Sequence, residues 1–305
     1  MPSYKLVTYD AGQGARAGIV VNDTVYDAAE GTGNAKDASV RGIMNDWANA
    51  KGRLKALADK PKGAGHKISA VKLLPPVPDP IGIFCAGANY TDHVAEMARA
   101  HGTPMEPDPH TLGLKSWHFL KTAGTLAGAN EVVHLPRRSK KLDWEVELVA
   151  VIGRKATDVP LDKALDYIAG YTIGNDLSAR DAGVRPGIPV GSPFRNDWVA
   201  HKCFDQSCPL GPWIVPAEDL KDPQNLKIQL YVNGVLKQDS NTSAMIFNIA
   251  EQISHLSEKL TLHPGDLVLT GTPAGVGTPR NEFLQPGDTV RCHIEGIGDL
   301  ENPLD

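Results

Sequence analysis

The 305-residue chain has little cysteine: four residues, Cys85, Cys203, Cys208 and Cys292, and no pair in the C-x-x-C spacing of a zinc or redox site. They read as scattered core thiols in a reducing compartment. Aromatic residues are few, at 6%, and no run of Lys and Arg forms a basic stripe, so nucleic-acid binding is not expected. A net charge of -5 does not favour anionic membranes. No stretch approaches the roughly 20 apolar residues of a membrane-spanning helix. The opening MPSYKLVTYD has neither the basic region nor the apolar core of a signal peptide, which makes the cytoplasm the expected location. Fixed-period repeats and low-complexity tracts are missing too.

Glycine (30) and proline (23) are plentiful and imply many turns between short elements. Residues 4–9, 16–21 and 24–27 have the pattern of short strands. Ser39 can cap a helix carrying Val40, Ile43, Met44 and Trp47 on one face, a pattern that continues to Leu54 and Leu57. Leu74-Pro-Pro-Val-Pro-Asp-Pro80 fits neither a helix nor a central strand. The chain therefore divides into a small N-terminal module (1–73), a proline-rich linker (74–80) and a larger domain (81–305). In the larger domain, 81–86 predicts a strand and 90–101 a helix. Leu226 to Asn233 alternates strictly and meets Asn233-Gly234, the preferred pair for a hairpin turn. Apolar residues at helical spacing predict a helix over 243–260; 266–270 and 289–294 predict further strands. The fold class expected is α+β, rich in strands.

Asp143-Trp-Glu-Val-Glu-Leu-Val-Ala-Val-Ile-Gly153 is the most informative segment. In an extended strand, Glu145 and Glu147 point the same way, with Val149 and Val151 continuing their face and Val146, Leu148 and Ala150 on the other. Two carboxylates on a strand that reads as buried are costly unless compensated, and a hard divalent cation compensates them. An edge strand with a solvated Glu pair is the competing outcome for any lone E-x-E. Asp176, after another apolar run, is a candidate third ligand or simply a turn residue. Three carboxylates and waters would leave coordination positions open to a substrate.

Five segments, taken in order, resemble the fumarylacetoacetate hydrolase family. They are Gly87-Ala-Asn-Tyr-Thr-Asp-His-Val-Ala-Glu-Met97, Glu145-Val-Glu147, Asn175-Asp-Leu-Ser-Ala-Arg-Asp181, Lys202 before Cys-Phe-Asp, and Gly271-Thr-Pro-Ala-Gly-Val-Gly277. The resemblance covers residues 80 to 305, with a looser match to the family's small accessory domain before them. It implies a mixed β-sandwich roll with a small N-terminal α/β module. It further implies metal ligands Glu145, Glu147 and Asp176, Mg2+ or Mn2+ as the ion, and a homodimer. No membrane or nucleic-acid partner is implied, only a small 2-oxo acid.

His93 and Glu96 stand three apart in the predicted helix, so they share a face. On spacing alone a surface His with a salt-bridge partner is the commoner outcome. The resemblance implies a dyad that activates water, with Glu96 setting the imidazole's tautomer and basicity. It places Lys202 by the substrate carboxylate or the developing oxyanion, and Tyr90 and Thr272 against the substrate. The loop 271–277 lacks the Lys-Ser/Thr ending of a phosphate loop but can aim N–H groups at a carboxylate. Lys121 reads as a structural or peripheral residue, and Arg180 and Asp181 as locally paired scaffold. Some relatives carry a glutamine at the place of Gly183; Arg185, Arg195 or Asn196, in the long segment before Lys202, could fill its role. That segment and 104–110 are expected to border the pocket, the latter as a lid.

The activity expected is metal-dependent hydrolysis of a C–C bond in an acylpyruvate or related 2,4-dioxo acid, through an enolate stabilised by the ion. Isomerisation, decarboxylation or hydration of a 2-oxo diacid at the same site are the alternatives. A binding protein with a structural cation is a more distant one.

Overall fold

The structure is a computed structural model that describes residues 3–305. Its first part holds β1 (Lys5–Asp10), β2 (Arg16–Val21), β3 (Thr24–Asp27), α1 (Ala28–Thr32), α2 (Val40–Asn45), α3 (Trp47–Asp59), β4 (Gly65–Lys67) and β5 (Lys72–Leu74). The single helical pattern read from residue 40 onward is two helices, broken at Asp46. Ser39 does cap the first, its side chain accepting from the Gly42 N–H. The segment 75–80 is irregular, as four prolines in seven residues require.

Beyond it come β6 (Ile83–Ala86), α4 (Thr91–His101), β7 (His118–Lys121), β8 (Leu126–Ala127), β9 (Leu142–Asp143), β10 (Val146–Ile152), β11 (Ile168–Asn175), β12 (Ser178–Ala179), α5 (Trp198–Lys202) and β13 (Cys208–Pro216). The chain ends with β14 (Lys227–Val232), β15 (Val235–Asn241), α6 (Ile249–Ser257), β16 (Leu267–Leu269), β17 (Thr289–Ile294) and β18 (Gly298–Pro303). The helix expected over 243–260 is shorter than its apolar pattern. The N–H groups of Ile246 and Phe247 are taken by Asn89, and a capping box of Asn248 and Glu251 starts the helix only at Ile249.

One large sheet runs β4-β3-β2-β1-β13-β11-β10-β16-β6-β7, with β5 beside β1 and β8 beside β13. A four-stranded sheet, β15-β14-β17-β18, packs over it. The Asn233-Gly234 turn joins β14 and β15, both residues having positive φ, which Asn and Gly tolerate best. The strand-rich α+β class is therefore the observed one.

The two faces of β10 enter different cores. Val146, Leu148, Ala150 and Ile152 pack with Ile228, Leu230 and Val290 of the small sheet. Val149 and Val151 pack with Ile43, Met44 and Leu54 of the N-terminal helices. β1 also pairs with β13, so residues before and after the proline-rich segment share one sheet and one core. β10 is consequently buried along its whole length, and a carboxylate attached to it is largely withdrawn from bulk water.

Candidate active site

Glu145 precedes β10 and Glu147 lies within it; Asp176 follows the antiparallel neighbour β11. The pairing of Val146 with Asn175 sets the register, and the Asp176 N–H donates to the Glu145 carbonyl at 2.9 Å. Asn175 supports the turn by accepting the Glu145 N–H at 3.0 Å. All three acids are buried, and one carboxylate oxygen from each lies within 4.8 Å of the others.

Three cationic side chains meet them. Lys202 Nζ donates to Glu145 Oε2 at 2.9 Å and Asp176 Oδ2 at 2.5 Å. Lys121 Nζ donates to Asp176 Oδ1 at 2.6 Å. Arg180 joins Glu145 (2.5 Å) to a fourth buried acid, Asp143 (2.9 Å). Four acids thus face three bases, and among the described residues Glu147 is the acid without a cationic partner: its Oε2 accepts from the Gly271 N–H, at 2.6 Å. Burial raises the Glu147 carboxyl well above the usual range, and the charges of Asp176 and Glu145 raise it further. Burial would raise Glu145 too, but Lys202 and Arg180 outweigh it and hold that carboxyl low. Against the burial that would lower it, Asp176 and Glu145 raise the Lys202 ammonium. An acidic, oxygen-only donor set with one uncompensated carboxylate fits a hard divalent cation held by Glu145, Glu147 and Asp176.

The glycine-rich loop does aim N–H groups at carboxylates, and these are the protein's own: Gly271 at Glu147, Ala274 at Asp92, Gly275 at Glu96 and Gly277 at Asp143. Gly271 and Gly275 have φ of +98° and +102°, and a Cβ on Gly275 would lie 2.2 Å from the Lys237 carbonyl oxygen, so the path of this loop needs glycine. The Thr272 hydroxyl donates to the Val146 carbonyl and accepts from Gln238, which also receives the Val146 N–H.

The loop is also what fixes α4. Asp92 accepts from Ser240 and Ala274, and Glu96 accepts from Gly275 at 2.8 Å. Among the described residues no hydrogen bond joins His93 to Glu96, and the buried His93 Nδ1 has no partner. Burial lowers the His93 pKa, opposed by the Glu145 charge, so the imidazole is neutral at physiological pH. Tyr90, at the start of α4, is fully buried with an unpartnered hydroxyl close enough to Glu147 to feel its charge. Arg185 stands apart on the surface. Its guanidinium is held within its own loop by the Phe194 carbonyl and Asp197. The 104–110 segment ends at His110, which docks on Glu251 of α6.

Of the two roles expected for Lys121, structural or peripheral, the position inside the cluster fits the structural one; 55 residues separate it from Asp176, and the pairing of β7 with β6 brings it in. Arg180 pairs with Glu145 and Asp143, while Asp181 binds the Ser139–Lys140 turn. The sequence alone does not single out Asp143. It is fully buried and accepts from Gly277, Thr278 and Arg180. The one available signal was its place two residues before Glu145 on the same predicted face.

A strand-rich roll with an acidic centre of this kind defines a class. Residues 82–305 match the model of the fumarylacetoacetate (FAA) hydrolase C-terminal domain, and the chain belongs to the fumarylacetoacetate hydrolase family. Among relatives, oxaloacetate tautomerase fahd2, mitochondrial, of Xenopus laevis is 39% identical over 77% of this chain and 69% of its own. The crystal structure of 2-hydroxyhepta-2,4-diene-1,7-dioate isomerase from Mycobacterium marinum covers 99% of this chain and 98% of its own, with a TM-score of 0.73 and 31% identity. That of maleylpyruvate hydrolase from Sphingobium sp. SYK-6, in complex with manganese (II) ion and pyruvate, covers 98% of both chains, with a TM-score of 0.75 and 29% identity.

Proposed function

We propose that the chain is a divalent-metal-dependent tautomerase or isomerase of a 2-oxo diacid, moving a proton between the enol oxygen and the adjacent carbon. The observation that carries this reading is the Glu96–Gly275 hydrogen bond: Glu96 is engaged by the loop, leaving His93 without a carboxylate partner. A neutral imidazole with a free ring nitrogen can take a proton and return it to a neighbouring atom. It is less well equipped to generate hydroxide, because no carboxylate hydrogen-bonds the ring and the charges of Glu145, Glu96 and Asp92 favour its charged form only through space. The name of the Xenopus relative, oxaloacetate tautomerase, agrees with this assignment.

Bound between Glu145, Glu147 and Asp176, a cation such as Mg2+ or Mn2+ would polarise the 2-oxo oxygen as a Lewis acid. Lys202 keeps its positive charge beside two of those acids and would orient the substrate's 1-carboxylate. Tyr90 offers an un-ionised hydroxyl that can donate to the enol oxygen. Thr272 has only acceptor capacity left, and Arg185 would reach substrate only by leaving Asp197.

Hydrolytic C–C cleavage of an acylpyruvate is the second reading. It is favoured by the three-residue spacing of His93 and Glu96 on α4, which lets a rotamer change assemble the dyad. The maleylpyruvate hydrolase among the structural relatives supports it as well. A homodimer remains part of the proposal, supported by the exposed Leu120, Trp198 and Val199 near the site. The N-terminal module, linker and catalytic domain at 1–73, 74–80 and 81–305 also remain proposed divisions. No helix among the described residues is long and apolar enough to cross a membrane. The cytoplasm is kept as the proposed location, although the Xenopus relative is named as mitochondrial.

The test compares enol-oxaloacetate decay in the ultraviolet with cleavage of an acylpyruvate panel, each with Mg2+ and with chelator. Faster enol decay that disappears in chelator and in His93→Ala, without acylpyruvate cleavage, is the expected result. Cleavage of an acylpyruvate at a rate exceeding tautomerisation would transfer the assignment to the second reading.

A further inference from the structure

Seven buried side-chain polar atoms among the described residues have no hydrogen-bond partner. Three belong to residues that feel the charges of the acidic cluster: the Tyr90 hydroxyl, His93 Nδ1 and His201 Nε2. An enclosed donor or acceptor without a partner is costly, and such atoms collected around one centre point to a ligand that completes them. The first two are used by the reading above, but His201 is not.

His201 lies on α5 immediately before Lys202, whose ammonium touches Glu145 and Asp176. Its ring sits 5.8 Å from that of Trp198, centroid to centroid, and covers Gly183. A Cβ at Gly183 would lie 2.9 Å from His201 Cγ and Nδ1, so the missing side chain at 183 is what lets the imidazole settle there. Burial lowers its pKa to about 4, and the positive charges of Lys202 and Arg180 push the same way. The ring is therefore neutral near pH 7 and carries one N–H and one lone pair.

We propose that His201 is a substrate-binding residue of this site, its Nε2 hydrogen-bonding a polar group at the end of the substrate remote from the 2-oxo acid. The inference rests on the 2-oxo acid reading of the acidic centre. It adds a determinant of which 2-oxo acids are accepted. A neutral imidazole beside two cations binds a carboxylate or carbonyl oxygen through its N–H. Gly183 then acts as the clearance that holds the ring in place.

The experiment measures binding by calorimetry with Mn2+ present, using oxalate, which has no remote end, and the diacids 2-oxoglutarate and 2-oxoadipate. His201→Leu should weaken at least one diacid tenfold or more and leave oxalate within twofold. His201→Gln, which can restore a donor near the Nε2 position, should recover most of that loss. Gly183→Ala should reproduce the selective weakening by displacing the ring. Equal losses on oxalate and both diacids would mean a structural role and overturn the proposal. Unchanged diacid binding in His201→Leu would overturn it while leaving the centre's assignment intact. A wild-type protein that binds none of the three would overturn both together.

Discussion

Lys121 Nζ lies 2.6 Å from Asp176 Oδ1, and both side chains are closed off from solvent. This ion pair joins β7, at the margin of the large sheet, to the acidic centre. Lys121→Met would leave Asp176 with Lys202 alone. Removing one partner of a buried pair is destabilising by about 3 kcal/mol. Urea unfolding in chelator should show that loss, and saturating Mg2+ should reduce it, because the cation offsets the same carboxylate charge. A variant as stable as wild type without metal would show that the pair contributes nothing.

Among the described residues Glu147 meets no cationic side chain, and burial together with the charges of Asp176 and Glu145 raises its carboxyl well above the usual range. The neutral amide of Glu147→Gln can still accept the Gly271 N–H, so metal-free stability should change by less than about 1 kcal/mol. The wild-type gain on adding metal, about 2.7 kcal/mol at a hundredfold excess over Kd, should vanish in the variant. A full metal-induced rise in melting temperature for Glu147→Gln would remove this residue from the ligand set.

Asp143 gathers the Gly277 N–H at 2.6 Å, the Thr278 N–H and hydroxyl, and Arg180. Asp143→Ala leaves Arg180 with Glu145 alone and strands three donors, a loss of about 3 kcal/mol. Amide exchange should quicken across 271–278, since the anchor of that loop is gone. A loss below about 1 kcal/mol would contradict this account of the loop.

His110 is clasped between Asp108 (2.8 Å) and Glu251 (3.0 Å), which docks the segment leaving α4 onto α6. The hydrogen bond to Asp108 raises its pKa, against a smaller opposing effect of burial and with help from Glu251. A raised folded value means that the clasp is complete below the unfolded pKa of about 6.5 and weakens as pH climbs through the folded one. Above that value the ring keeps one N–H for two acceptors. Exchange protection of residues 103–113, corrected for intrinsic rates, should fall as pH rises above the unfolded value of about 6.5 and through the raised folded one. His110→Phe should abolish the pH dependence; the same profile in that variant would assign it to another group.

Much of the fold could be read from local pattern. Alternation set Glu145 and Glu147 on one side and separated Val149 and Val151 from Val146, Leu148 and Ala150, which the structure places in two different cores. The Asn233-Gly234 pair located its hairpin. Where the local reading overreached, tertiary hydrogen bonds had intervened: Asn89 holds the residues before α6 out of the helix, and Asp46 splits the N-terminal one.

What the sequence by itself determined is therefore which residues face inward along each element, because side-chain direction follows from a backbone period of two or 3.6 residues. It could place two carboxylates side by side. It could not show which charges answer them. Lys121, Lys202 and Arg180 come from three separate segments, and Glu96 is drawn to Gly275 rather than to its helical neighbour. Those pairings depend on distances between elements far apart in the chain, and only the packed sheets set them.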